Sequence, residues 1–208
     1  MKLVSVNTGR AEPIATKSGE TGIFKHPRSE AVAVGRLGVA GDTICDTENH
    51  GGVDQAVYVY GTPDYAWWSR ELGRDLVPGT FGENLTVDGL ASADICVGDR
   101  LTVGDVVLEV TGPRIPCVTL AARMDDTLFV KRFLQAERPG VYCRAITEGT
   151  VAAGDPVALT PFPGERVAVL ELNRLFSNLD TLDEATTRRW LAAPVHHKLR
   201  DRLEARWG

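Results

Sequence analysis

The sequence predicts a mainly β protein: a β-barrel with one interspersed helix, followed by a small C-terminal subdomain of three helices. Three observations predict it. Residues 1 to about 160 are short apolar or alternating runs punctuated by Gly, Pro and Asp. The pair Gly-Asp recurs at 41–42, 98–99, 104–105 and 154–155, where Gly supplies a positive φ and Asp bonds its own backbone, marking turns between neighbouring strands. After Pro161-Phe162-Pro163-Gly164 the pattern becomes helical. Many short strands with close turns favour a barrel over an open sheet. The Pro/Gly stretch divides a barrel domain, 1–163, from a helical subdomain, 164–208.

The first strand is Met1-Lys2-Leu3-Val4-Ser5-Val6-Asn7, whose apolar run is too short for the core of a signal peptide. Further strands are expected at Ala31–Val34, Ala56–Tyr60, Asn84–Val87, Asp99–Val103, Val106–Val110, Val141–Ile146 and Pro156–Leu159. Gly104-Asp105 is the clearest hairpin turn. One helix interrupts them: Thr62 caps, Pro63 opens, and Asp64–Leu72 runs to a Gly73 stop, with Trp67 and Trp68 as packing residues. In the tail, Val167–Phe176 forms one helix. Thr181-x-x-Glu184 is a capping box opening a second through Leu191, and Val195, Leu199, Leu203 and Trp207 recur every fourth residue in a third.

The chain has 208 residues, 43% hydrophobic and 25% charged, which suits a globular protein and excludes disorder. No run approaches the ~20 apolar residues of a spanning helix, so no membrane role is expected. A net charge of −5 argues against nucleic acid as a partner. Charge is uneven: residues 188–208 hold six Arg/Lys against two acids, an excess read as a solvated helix surface or a docking face. The four cysteines form no Cys-x-x-Cys pair and His196-His197 are the only adjacent histidines, so neither a structural zinc site nor a disulfide framework is indicated. Reduced thiols in the cytoplasm fit best.

Cys117 is the chemical focus. It closes Gly112-Pro113-Arg114-Ile115-Pro116-Cys117 directly after the run Val106–Val110. The two prolines fix φ and remove donors, so the strand stops and the thiol is presented in one direction, while Arg114 favours the thiolate. His50-Gly51-Gly52-Val53-Asp54 offers glycine N–H groups to an anion. Gly82-Glu83-Asn84-Leu85 sets a carboxylate and an amide at a strand entrance. Cys117 as nucleophile with His50 as base would make a cofactor-independent thiol enzyme.

Together these segments resemble the MOSC domain, in particular its stand-alone YiiM type. The pieces are Gly22-Ile23-x-Lys25-x-Pro27, Gly38-x-x-Gly41-Asp42, His50-Gly51-Gly52-x-Asp54-x-Ala56-Val57-x-x-Tyr60, Gly82-Glu83-Asn84-Leu85, Gly98-Asp99, Pro113-Arg114-x-Pro116-Cys117 and Gly154-Asp155, in the family's order. Cys143 and Thr119 depart from it, standing where an aliphatic and a basic residue are usual. The resemblance implies a barrel holding a molybdenum–pterin cofactor, with Cys117 as the thiolate ligand and Lys25 on the phosphate side. Arg114 joins them by charge and proximity. His50, Asp54, Glu83, Asn84, Tyr142 and Arg144 are expected to line or orient the pocket with Gly51 and Gly52, His50 and Asp54 being counted with Cys117 as catalytic. The implied activity is reduction of N-hydroxylated compounds, among them hydroxylaminopurines, to amines, a detoxification. No Gly-x-Gly-x-x-Gly fingerprint is present, so electrons are expected from a separate flavin or iron–sulfur partner. A carrier that binds the cofactor or sulfur without turnover is the non-enzymatic alternative. A homodimer and binding of pyridoxal phosphate are left open.

Overall fold

A computed structural model describes residues 1–207, Trp207 by its backbone alone. The strands are β1 (Lys2–Thr8), β2 (Glu12–Pro13), β3 (Glu20–Thr21), β4 (His26–Pro27), β5 (Val32–Gly35), β6 (Gly38–Val39), β7 (Val57–Gly61), β8 (Leu85–Asp88), β9 (Arg100–Val103), β10 (Val106–Pro113), β11 (Val141–Thr147), β12 (Gly149–Val151) and β13 (Val157–Thr160). The helices are α1 (Thr62–Leu72), α2 (Val118–Met124), α3 (Phe129–Ala136), α4 (Val169–Leu175), α5 (Glu184–Ala192) and α6 (His197–Trp207). Every strand expected from the sequence is present, and the four Gly-Asp turns carry a positive φ at Gly41, Gly98, Gly104 and Gly154.

Eight strands form one mixed sheet in the order β13-β9-β10-β11-β7-β8-β1-β4. β7 and β8 run parallel and the other neighbours antiparallel. The expected barrel closure does not form. The return from β1 toward β13 is one isolated bridge, Lys2 to Pro156, flanked by Leu3 N–H to the Asp155 carbonyl at 2.9 Å and Val157 N–H to the Met1 carbonyl at 3.0 Å. Gly154 N–H adds one more bond, to the Leu3 carbonyl at 2.8 Å, and the far edge, β4, is two residues long and ends in Pro27. The protein is therefore a mixed sheet clothed by helices rather than mainly β.

Two helices, α2 and α3, were not expected. Their stop signals are unusual: each ends on a non-glycine residue in the left-handed region, Asp125 and Glu137, both at φ 53°. Without the usual glycine, the helical spacing of Phe129, Phe133 and their neighbours carries no punctuation. Smaller corrections concern caps. Gly61, not Thr62, precedes α1, and the Thr62 hydroxyl donates instead to Asp88 Oδ1 at 2.7 Å. Asp183, not Thr181, caps α5, accepting from Thr186 N–H at 2.7 Å. α4 begins at Val169, two residues later than expected.

Two apolar clusters result. One is aromatic, with Tyr58, Tyr60, Tyr65, Trp68, Phe81, Phe129 and Phe133 joining β7, α1, α2 and α3. Trp68 is fully buried while Trp67 lies under the Arg138 guanidinium, 4.8 Å from its carbon. The other cluster runs from the sheet without a break into the tail: Val97, Val110 and Cys143 share it with Val167, Leu172, Trp190, Val195, Leu199 and Leu203. The side chain of Trp207, expected in the same stripe, lies outside the described residues.

Because the tail and sheet share a core, deleting residues 164–208 is expected to abolish cooperative unfolding. Trp190, fully buried with its indole N–H on Glu171 Oε1 at 2.8 Å, gives the milder test. Trp190→Ala should lower stability by about 3–5 kcal/mol, read from the urea midpoint. A loss below about 1 kcal/mol would mean that the tail packs independently.

Candidate active site

β10 delivers Cys117. Gly112 and Pro113 pair with Tyr142 and Val141 of β11, after which the proline-bounded turn crosses the sheet end and Cys117 becomes the residue preceding α2. A cleft of about 740 Å³ opens there. Cys117, His50, Lys25, Arg114, Tyr58, Asn84 and Tyr142 all line it.

Arg114 is buried, its Nη1 donating to the Phe81 carbonyl at 2.9 Å and its guanidinium lying over Tyr58 and Phe133 at 5.4 and 5.8 Å. Burial alone raises the Cys117 thiol pKa. A hydrogen bond from His50, the Arg114 charge and the Leu120 N–H overcome it and bring the pKa down to about 6. The other three thiols go the other way: burial pushes Cys45, Cys96 and Cys143 up, with Glu20, Asp99 and Glu109 adding to the rise. At neutral pH, Cys117 is the thiolate of the chain.

Lys25 is buried in the same cleft and ion-paired with Asp42. Burial lowers its pKa, against the pull of Asp42. Asp42 is held by Gly9 N–H at 2.8 Å and Asn84 Nδ2 at 2.9 Å, and Asn84 Oδ1 accepts from Tyr58 N–H at 3.1 Å. Asn84 thus braces the Asp42–Lys25 pair from the seam between β7 and β8. Gly79, at φ 87°, passes so close to Lys25 that a Cβ would sit 2.4 Å from its carbonyl oxygen. Gly51, at φ 76°, likewise leaves no room, its Cβ position lying 2.7 Å from Ile44 Cδ1.

Four expected pocket residues face elsewhere. Asp54 accepts from the His197 N–H at 2.7 Å and meets its Nδ1 at 2.8 Å, with Arg144 Nε at 3.0 Å. Burial opposes its ionisation, but the His197 hydrogen bonds and Arg144 hold its carboxyl below the usual range. Asp54 and Arg144 therefore clamp the start of α6 to the sheet and do not line the cleft. Glu83 is fully buried behind it, Oε1 accepting from Tyr65 at 2.6 Å, Gly79 N–H at 2.7 Å and Thr86 at 2.7 Å; burial raises its pKa despite those donors. Gly52 is exposed and also off the lining. The tail supplies wall residues that the motifs do not reveal: Leu172, Phe176, His196, Lys198 and Arg202. The signal for the last two is the basic excess, which faces the cleft as well as solvent.

The MOSC domain description matches residues 46–158. The chain belongs to the MOSC family. The YflK protein of Bacillus subtilis strain 168 is 37% identical over 175 residues, which are 83% of this chain and 79% of that protein. A protein named "Reductase" from Gibberella moniliformis is 32% identical over 88% of this chain, which spans only 34% of the fungal protein. The crystal structure of YiiM from Geobacillus stearothermophilus superposes with a TM-score of 0.81 at 26% identity, covering 100% of this chain and 99% of that one. This is a MOSC protein of the YiiM type. Among the described residues no helix is long and apolar enough to cross a membrane.

Alkylation kinetics test the electrostatics of this MOSC site. The rate of Cys117 modification by iodoacetamide should rise with a midpoint near pH 6. In His50→Ala the midpoint should move upward, because a hydrogen bond and a neighbouring charge that favour thiolate are both removed. An unshifted midpoint would separate His50 from the thiol.

Proposed function

We propose that this protein reduces N-hydroxylated compounds to amines with a molybdenum–pterin cofactor, and that Cys117 is the protein's ligand to the metal. The observation that carries the reading is the thiolate at about pKa 6 on the wall of a cationic cleft. MOSC membership and the fungal relative named a reductase support an oxidoreductase.

The residues present suit the group. A soft thiolate is the right donor for a sulfur-rich molybdenum centre. An anionic pterin phosphate needs charged donors, and the buried Nε of Arg114 has no hydrogen-bond partner among the described residues. Lys25 and the backbone beside Gly51 are further donors on the lining. When bound, the cofactor supplies the two-electron redox step in which R–NH–OH, two electrons and two protons give R–NH2 and water. The chain's own residues hold the thiolate in place, exclude water with the Tyr58, Tyr142 and Phe176 faces, and set the His50 ring in hydrogen-bond contact with the Cys117 sulfur. Electrons come from a separate flavin or iron–sulfur donor.

The His50–Cys117 hydrogen bond also favours a second reading, a thiol nucleophile with its base. One experiment divides them. In a host that makes the cofactor, Cys117→Ser should lose molybdenum retention and turnover of a hydroxylaminopurine, while Cys45→Ser keeps both. Turnover by metal-free protein that disappears in Cys117→Ser would establish the thiol enzyme instead. Lys25→Ala should lower cofactor affinity by about ten- to a hundredfold, the worth of one charge-assisted contact, measured as molybdenum content under limiting supply. Unchanged content would place Lys25 outside the cofactor site.

A further inference from the structure

The cleft has two groups of cationic side chains, and only the buried group is neutralised. Lys25 is paired with Asp42, and the Arg114 charge is answered electrostatically by the Cys117 thiolate. At the exposed rim stand Lys198 and Arg202, four residues apart on one face of α6. Other arginines of the tail are engaged: Arg188 with Glu184, Arg189 with Glu171, and Arg200 with Glu204 and the Leu191 and Ala193 carbonyls. Lys198 donates to the Glu48 backbone carbonyl, and neither it nor Arg202 pairs with a carboxylate outside or inside the cleft among the described residues. Of the three acids on the lining, Asp42 serves Lys25 and Asn84, Asp46 serves Asn49 and the Glu48 amide, and Glu20 is matched in number by a further lining cation, Lys17. A positive rim thus opens on a chain whose net charge is −5. Such a concavity concentrates small anions against the field of the whole molecule.

We propose that Lys198 and Arg202 form a subsite for a phosphate monoester on the substrate, so that the cleft takes an N-hydroxylated purine as its nucleotide rather than as the free base. The substrate's identity rests on the reductase reading; the anion subsite rests on the two side chains. A dianionic phosphate matches a neighbouring lysine and arginine, the arginine offering paired N–H groups. Leu172 and Phe176 of the tail, with Tyr58 and Tyr142 of the sheet, give the same cleft flat apolar surface for a base. Its 740 Å³ falls in the range of about 300–1,000 Å³ typical of small-molecule sites. The pterin cofactor carries a phosphate of the same chemistry, so the test must separate the two sources.

Calorimetry on metal-free protein with adenosine 5′-monophosphate and adenosine reads the subsite directly. The nucleotide should bind at least about tenfold more tightly than the nucleoside, and Lys198→Ala/Arg202→Ala should remove that preference, a change of about ten- to a hundredfold. The charge-conserving Lys198→Arg/Arg202→Lys should keep most of it. Molybdenum content of the alanine variant, made in a cofactor-producing host, should match the wild type. In turnover, the loss should fall on KM for the nucleotide substrate relative to the free base. Equal binding of nucleotide and nucleoside, or a preference that survives the alanine variant, would overturn the proposal. So would loss of molybdenum, which would assign these cations to the cofactor's phosphate. A nucleotide preference abolished by the substitutions in a protein that reduces neither substrate would uphold the subsite and sink the reductase reading.

Discussion

A buried guanidinium is the constraint around which the site is organised. Arg114 is sealed among Tyr58, Phe81 and Phe133 and donates a hydrogen bond to the Phe81 main-chain carbonyl. A cation in that setting is costly unless an anion answers it. The nearby Glu83 carboxyl is a poor answer, since burial raises its pKa toward the neutral form. Cys117, three residues along a turn stiffened by Pro113 and Pro116, is the better one, and the same charge that stabilises the thiolate gives it the form that soft metals bind. The rigid turn, the aromatic cluster beneath it and helices α2 and α3 that complete the cluster all serve to hold these two charges together.

A second charge cluster holds the tail. Asp54 gathers Arg144 from β11 and the amide and ring of His197 at the start of α6, while the buried Asp99 receives Arg166 just after the Pro/Gly stretch. These contacts explain why the tail behaves in the structure as a wall of the cleft. Lys198 and Arg202 of α6 line the same cleft as Cys117. Electrostatics that look like surface decoration in the sequence become part of the cleft wall.

What could be read in advance followed local physics. The strands, the Gly-Asp turns and the Cys117 turn rest on residues close in sequence, and all appear where expected. The motif set also brought His50, Lys25, Asn84, Arg114, Tyr142 and Cys117 to one cleft. Misreadings came where the outcome depends on distant partners. Asp54 sits in a glycine-rich motif that suggests a pocket, but its partner is His197, 143 positions away. Glu83 is turned inward by Tyr65 and Thr86, and the return from β1 to β13 is a single bridge between Lys2 and Pro156 rather than a closed ladder. The helices α2 and α3 end on Asp125 and Glu137 rather than glycine, so their ends had no local mark.

The central claim is that the Cys117 sulfur binds molybdenum. X-ray absorption at the molybdenum edge, on protein purified from a cofactor-producing host, tests it most directly. The wild type should show one sulfur neighbour more than the cofactor itself provides, and that neighbour should be absent from whatever metal Cys117→Ser retains. A sulfur count equal to that of the cofactor alone, or one unchanged by the substitution, would contradict it.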